Sequence, residues 1–364
     1  MHPRTRNVPG QIPSKNCTIV DMESVAIACE AVTVNVDACH RLATLLKSQR
    51  IPVDREEVSL AEFDSSEAGN FYLLLVSICH QTSPRGLPPL QGRVGNQVLR
   101  GWDYLSAKLA AATRDRREIV SPAFWAKINP KELRNIFRDE TVGDTLTDPE
   151  GRASLIQDMG QKMIFKSWQI ADALYHTAQG RLASGSPNLY ELLSEFRAYV
   201  DPVRKKSSFF LALMQNSGLW VYADPDNLAP PVDYHEVRGH LRIGTVEIVD
   251  PVLREKLFEG REVTQEEDIR IRQAVLEAMM LVSRYSEIRN LSQLHYLFWN
   301  IFRSCCARDH PHCIACSSNC SLPPRYVSLT LMDGNVRHCP FSMVCQSANC
   351  EPKLSENNVR TDYY

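Results

Sequence analysis

Apolar residues recur at helical spacing through most of this chain, and alternating patterns that would mark strands are few. From Asn35 to Leu46 the spacing of three and four predicts an amphipathic helix. Asn70 to Ile78 (NFYLLLVSI) is a short apolar run that suits either a buried helix or a buried strand, and it leads into His80-Gln81-Thr82. Ser83 to Gly95 is rich in Pro and Gly and reads as a loop. Arg100 to Ala112 is built from good helix formers. Ser121-Pro122 before Ala-Phe-Trp-Ala has the form of an N-cap with Pro in the first turn. Further helices are predicted over Asp148 to Tyr175, Ser186 to Tyr199, Val203 to Met214 and Glu266 to Tyr285. Leu291 to Phe302 (LSQLHYLFWNIF) should be a buried helix that feeds straight into a cysteine-rich segment. The pattern predicts an all-α protein without internal repeats. It divides into a loose arm over 1–16, a helical body over 17–303, a cysteine-rich segment over 304–350 and a polar tail over 351–364 that should fray.

Composition narrows the class. At 364 residues, one large or two smaller domains are expected, and 44% hydrophobic with 23% charged residues is ordinary for a soluble globular protein. No apolar run approaches the roughly 20 residues of a membrane span. The net charge of −2 does not demand a nucleic-acid partner, because non-specific DNA binding uses many cations on a basic face; a local basic patch is still compatible with it. The opening MHPRTRNVPG lacks the apolar core of an export signal, so a cytoplasmic location with reduced thiols is expected.

The cysteines change the picture most. Eight of twelve fall between Cys305 and Cys350: Cys305, Cys306, Cys313, Cys316, Cys320, Cys339, Cys345 and Cys350. A disulfide framework staples a whole domain, whereas this crowding suits a metal or cluster; incidental thiols are the third reading. Cys306-x6-Cys313-x2-Cys316 is a ligand-like spacing, and Cys339-Pro340 to Cys345 supplies a second short loop. Four such thiolates could hold either zinc or an iron–sulfur cluster.

A second constellation runs from Pro230 to Arg242 (PPVDYHEVRGHLR). Asp233 is placed to cap a helix, with Glu236 three positions on completing a capping box, a structural role of about 1 kcal/mol. The functional reading uses the same geometry. A carboxylate at a helix N-terminus stays ionised, and can steady an oxocarbenium ion or orient water in glycosidic cleavage. Arg238 and Arg242 share a helical face, as phosphate contacts or as solvated cations. Upstream, Arg204, Lys205 and Lys206 follow Pro202, where a helix start could receive an anion or simply face solvent. Trp102, Tyr104 and Tyr234 are candidates to stack on a base, with core packing as the alternative.

Val232-Asp233-Tyr234-His235-Glu236-Val237-Arg238 resembles the V-D-T-H-x-x-R segment of helix-hairpin-helix DNA glycosylases of the endonuclease III type. There the Asp is the catalytic carboxylate, which the resemblance carries to Asp233. Those enzymes often end in a C-x6-C-x2-C-x5-C iron–sulfur loop; Cys306, Cys313 and Cys316 match its first three positions. No cysteine stands at the fourth, so Cys345 is taken as the fourth ligand, with Cys320 and Cys339 as alternatives. The order of segments from about residue 20 to 300 is similar to the queuosine salvage family, all-helical relatives of those glycosylases. The similarity rests on the run Asn70–Ile78, on Arg100-Gly101-Trp102-Asp103-Tyr104-Leu105, on Val232–Val237 and on Leu294–Asn300. That family does not typically carry a cysteine tail, and the chain lacks the L-P-G-V-G-x-K hairpin of DNA glycosylases, although Asp201 to Ser208 stands in about its place.

The resemblance implies a helix-hairpin-helix glycosylase-like body and an N-glycosidase cleaving the base–sugar bond of a queuosine-like deazapurine nucleotide or nucleoside. Asp233 would be catalytic, and Trp102, Tyr104, Lys206, Tyr234, His235, Arg238 and Arg242 would hold the substrate. Cys306, Cys313, Cys316 and Cys345 would hold a [4Fe-4S] cluster, with structural zinc as the alternative. The alternatives in function are an iron–sulfur DNA base glycosylase and a non-catalytic, metal-bearing interaction protein.

Overall fold

The computed structural model describes residues 31–52, 60, 63–313, 316, 320–351 and 353–364; the expected arm at 1–16 lies outside them. Helices dominate, as the periodicity predicts. In chain order the elements are β1 (Val32–Val34), α1 (Val36–Lys47), α2 (Ser65–Ser77), β2 (Gln91–Val94), β3 (Gln97–Arg100), α3 (Trp102–Asp115), α4 (Pro122–Trp125), α5 (Pro130–Phe137), α6 (Pro149–Phe165), α7 (Asp172–Ala178) and α8 (Leu189–Ser194). They continue with α9 (Lys205–Asn216), α10 (Tyr234–Ile243), β4 (Val246–Ile248), α11 (Pro251–Glu259), α12 (Gln265–Ser286), α13 (Leu291–Ser304), β5 (Leu331–Asp333) and β6 (Val336–His338). Among the described residues the strands form three antiparallel two-stranded ribbons, with Val32 opposite Ile248, Gln91 opposite Arg100 and Leu331 opposite His338.

Local chemistry explains the starts and stops. Asn35 caps α1 by accepting from the Ala38 amide, and Ser121 caps α4 with Pro122 at its first position. The ambiguous run at Asn70–Ile78 is helical: Asp64 and Glu67 form a capping box, and every residue from Ala68 to Ser77 is buried. A helix enclosed on all sides carries no polar face, which is why its period is not readable. The single helix expected over Asp148–Tyr175 is broken, because Ser167 takes a left-handed turn (φ 58°) between α6 and α7. The end of the expected loop at Ser83–Gly95 is instead strand β2. Its Gly92 lies on the Tyr104 ring, where a Cβ would come within 2.5 Å of Cζ.

Two hydrophobic cores result. One gathers α2 to α9 and the loops to Leu228. The other joins β1 and α1 to α10, α12 and α13, and it takes in Cys305, Cys306, Leu322, Tyr326, Cys339 and Phe341. The cysteine segment therefore packs as part of the body and not as an appendage beyond residue 303. The buried Arg272 of α12 grips Asp201 through two 2.9 Å bonds, and Asp201 in turn accepts from the Val203 and Lys205 amides, fixing the start of α9.

The tail differs from expectation. Ser355, Glu356, Asn357, Thr361 and Tyr364 are buried. Glu356 pairs with Arg238 at 3.0 Å and with Arg308. Asn357 and the Tyr364 hydroxyl both donate to Asp268, and the Gln81 amide donates to the Tyr364 carbonyl. Polar residues here satisfy buried charges, so their polarity did not mean solvent. Among the described residues no helix is long and apolar enough to cross a membrane.

Candidate active site

A cleft of about 270 Å³ opens between residues of the two cores. Cys79, Trp102, Lys205 and Phe209 line it, together with Asp233, His235, His295 and Trp299. Pro231, Tyr234 and Tyr364 also reach it, and Arg100 and Arg303 stand among its cations.

Asp233 occupies the N-cap of α10. Its carboxylate accepts from the His235 amide at 2.6 Å, and the Glu236 side chain returns to the Asp233 amide at 3.2 Å. The sequence-predicted cap is therefore present. Burial and the neighbouring Glu236 push the Asp233 carboxyl up to about 6. Glu236, fully buried, is raised by burial as well and lies 2.8 Å from His295 Nδ1. At pH 7 a group with a pKa near 6 is still anionic by roughly ten to one.

Lys205 lines the same cleft, with its Nζ 3.3 Å from Cys79 Sγ and 5.0 Å above the Phe209 ring. Burial opposes its charge, but Cys79 and Asp233 outweigh that, and the ammonium is held above its ordinary value. Burial depresses His235 to about 3 and His295 to about 4, so both imidazoles are neutral at physiological pH. The walls are aromatic. Trp102 meets Phe209 edge-on with centroids 4.8 Å apart, and the Arg303 guanidinium lies 4.3 Å over Trp299. The arrangement can hold a flat, mostly apolar group between rings while presenting one carboxylate and one ammonium to it.

Of the expected binding residues, Trp102, Tyr234 and His235 reach the cleft. Four others do not. Tyr104 is a core residue that donates to the Phe137 carbonyl. Lys206 points away to the Ser77 carbonyl (2.6 Å) and His80 Nδ1 (3.1 Å), and burial lowers it to about 7. One helical step, about 100°, decides that Lys205 faces the cleft and Lys206 does not. Arg238 and Arg242 are buried and committed elsewhere. Arg238 binds Glu356 and the Cys306 carbonyl (2.6 Å); Arg242 binds the carbonyls of Leu354 (2.7 Å), Ala307 (2.8 Å) and Arg308 (2.9 Å). They fasten the cysteine segment and tail to α10 and are not available as phosphate contacts. Lys205, read from the sequence only as part of a cationic helix start, lines the cleft, whereas Cys79, Phe209, His295 and Trp299 were missed as site residues, because only the tertiary meeting of the end of α2 with α9, α10 and α13 brings them together.

The far end of α10, about 15 Å from Asp233 at 1.5 Å per residue, touches the cysteines. Cys306, Cys313, Cys339 and Cys345 line one small cavity with Cys305, against Gly239, Arg242 and Phe302. Gly239 permits this approach, since a Cβ there would meet the Phe302 ring at 2.3 Å. Burial and the neighbouring thiols push Cys313 up to about 11 and Cys345 up to about 12. Such thiols ionise when a cation joins them. Cys316, expected as a ligand, does not line this cavity: its amide bonds the Arg337 carbonyl and its thiol is next to Cys320. Among the described residues no three thiol sulfurs lie within 4.8 Å of one another, wider than the edge of about 3.8 Å of a zinc–thiolate tetrahedron.

No protein-family model matches the chain, and no curated protein matches it.

Proposed function

We propose that the protein is an N-glycosidase that hydrolyses the base–sugar bond of a modified nucleotide or nucleoside, with a queuosine-like deazapurine as the base. The observation that carries this reading is the position of Asp233. A buried helix-capping carboxylate and the Lys205 ammonium line the same aromatic cleft. The base enters between Trp102 and Trp299. As the C1′–N bond breaks, its electron pair leaves with the base and positive charge develops on the sugar, where the Asp233 anion stabilises it. Water adds its hydroxyl to C1′ and gives its proton to Asp233; the departing base nitrogen takes up a proton from the Lys205 side. Arg100 and Arg303, at the mouth, replace Arg238 and Arg242 as the cations for a 5′-phosphate. The glycosylase-like fold belongs to the same proposal, supported by two helical cores flanking the carboxylate.

The reading includes a [4Fe-4S] cluster in the cysteine cavity, where Cys306, Cys313, Cys339 and Cys345 would hold it, with structural zinc as the alternative. Cys306-x6-Cys313 and Cys339-x5-Cys345 reproduce the outer intervals of the C-x6-C-x2-C-x5-C pattern, with the middle interval expanded. When bound, the cluster supplies structural cross-linking of α10, α13 and the segment after them. The same cysteines favour a second reading, an iron–sulfur DNA base glycosylase that flips a damaged base into the cleft.

One preparation tests both. Base release from queuosine 5′-monophosphate and related deazapurine nucleotides is the expected result. Lesion-specific, steeply salt-dependent duplex binding without nucleotide hydrolysis would overturn it in favour of the DNA enzyme. Inactivity in both assays would leave a metal-bearing interaction protein.

A further inference from the structure

We propose that His80, Asp148 and Asp362 form a second metal site, separate from the cysteines, that takes one divalent first-row ion such as Mn²⁺. The three come from distant parts of the chain: the residues after α2, the start of α6, and the tail. One ligand atom from each lies within 4.8 Å of the other two, and His80 Nε2 is 3.9 Å from Asp362 Oδ1. Ligands at right angles on an ion with bonds of about 2.1 Å stand roughly 3 Å apart, so the atoms must close by about 1 to 2 Å, within reach of rotation of the two exposed aspartate side chains.

The imidazole points to a ligand independently of the acids. His80 is 2% exposed, and among the described residues its Nε2 has no hydrogen-bond partner. Its other nitrogen, 3.1 Å from Lys206 Nζ, carries the ring proton in the tautomer that ligates, which leaves the Nε2 lone pair toward the two carboxylates. A buried ring nitrogen left without a partner is costly, and a cation between it and two carboxylates removes that cost.

The bland alternative is that Asp148 and Asp362 merely neutralise the buried Arg152. The guanidinium is otherwise engaged. Its Nε donates to the Thr147 carbonyl at 2.8 Å, and its terminal nitrogens bond the carbonyls of Ile78 and His80. The guanidinium charge weakens cation binding without supplying the missing partner. Lys205 and Lys206 are the other cations near His80. One imidazole and two carboxylates favour borderline to hard divalent ions, unlike the soft thiolate set around Cys306. An ion here ties the tail to the end of α2 and the start of α6, two residues before Tyr364 enters the cleft.

Mn²⁺ is the probe, because it is the weakest of its series for thiolates and its free aquo ion has a six-line paramagnetic resonance signal. Titration into the full chain, purified anaerobically with its cysteine centre loaded, should remove one equivalent of that signal. The bound ion should show nitrogen coupling from His80. Asp148→Asn, which keeps a good helix cap, and Asp362→Asn, on an exposed side chain, should each weaken binding at least about tenfold while melting as wild type without Mn²⁺. The proposal is overturned if the wild type removes no signal, if the bound ion lacks nitrogen coupling, or if both variants bind as tightly as wild type.

Discussion

Replacing Asp233 by Asn separates its two roles. The carboxyl is raised from an ordinary value of 3.8 to about 6, first by burial and then by Glu236. A group whose folded pKa exceeds its unfolded one favours the folded state while protonated. That contribution is full below about pH 4 and is lost as pH rises through about 6. Two units correspond to about 3 kcal/mol, the upper bound on what the ionised Asp233 costs the fold at pH 7.5. Asn keeps an oxygen for the His235 amide, so the cap survives with little loss. Asp233→Asn should therefore melt at or above the wild-type temperature at pH 7.5. The advantage should shrink toward zero near pH 4, and the difference curve reports Asp233 together with its coupling to Glu236. Base release per folded molecule should fall by about 100-fold or more, the usual effect of losing a key electrostatic stabiliser. The assay pairs urea midpoints between about pH 4 and 8 with single-turnover release from queuosine 5′-monophosphate. A variant that melts well below wild type at pH 7.5 and retains turnover would reduce Asp233 to a helix cap.

The cysteine assignment makes a different demand: Cys306→Ser and Cys339→Ser should lose the brown colour of anaerobically purified protein, while Cys316→Ser keeps it. A colourless wild type with one equivalent of zinc would replace the cluster with a structural zinc site. Glu356→Gln leaves Arg238 buried opposite an uncharged group, and should cost about 3 to 5 kcal/mol in urea unfolding. An unchanged midpoint would mean that the carbonyls of Cys306 and Phe302 suffice to hold Arg238 without the pair.

Helices with one apolar face were legible in the chain, because the 3.6-residue period survives wherever one side meets water. Thus α1 and α12 lie where the pattern predicts, within a residue or two at each end, and α13, which has no exposed residue, is legible from the length of its apolar run instead. The cap at Asp233 was legible too, since capping boxes are local chemistry. Burial of cations was not. Arg238 and Arg242 read as a surface face by spacing, yet they are enclosed by Glu356 and backbone carbonyls supplied more than sixty residues away. The tail read as frayed for the same reason: its polar residues answer buried charges on α10 and α12 that no local window contains. Similarly, adjacent lysines on α9 are equivalent in sequence, and only the packing of α9 against α2 turns Lys205 to the cleft and Lys206 to the interior. The sequence by itself determined that the chain is helical, that Asp233 begins a helix and that a set of thiols is concentrated after α13. Tertiary structure decided which thiols share a cavity and which charged groups meet across the cleft, because both depend on distances between segments that periodicity and propensity do not encode.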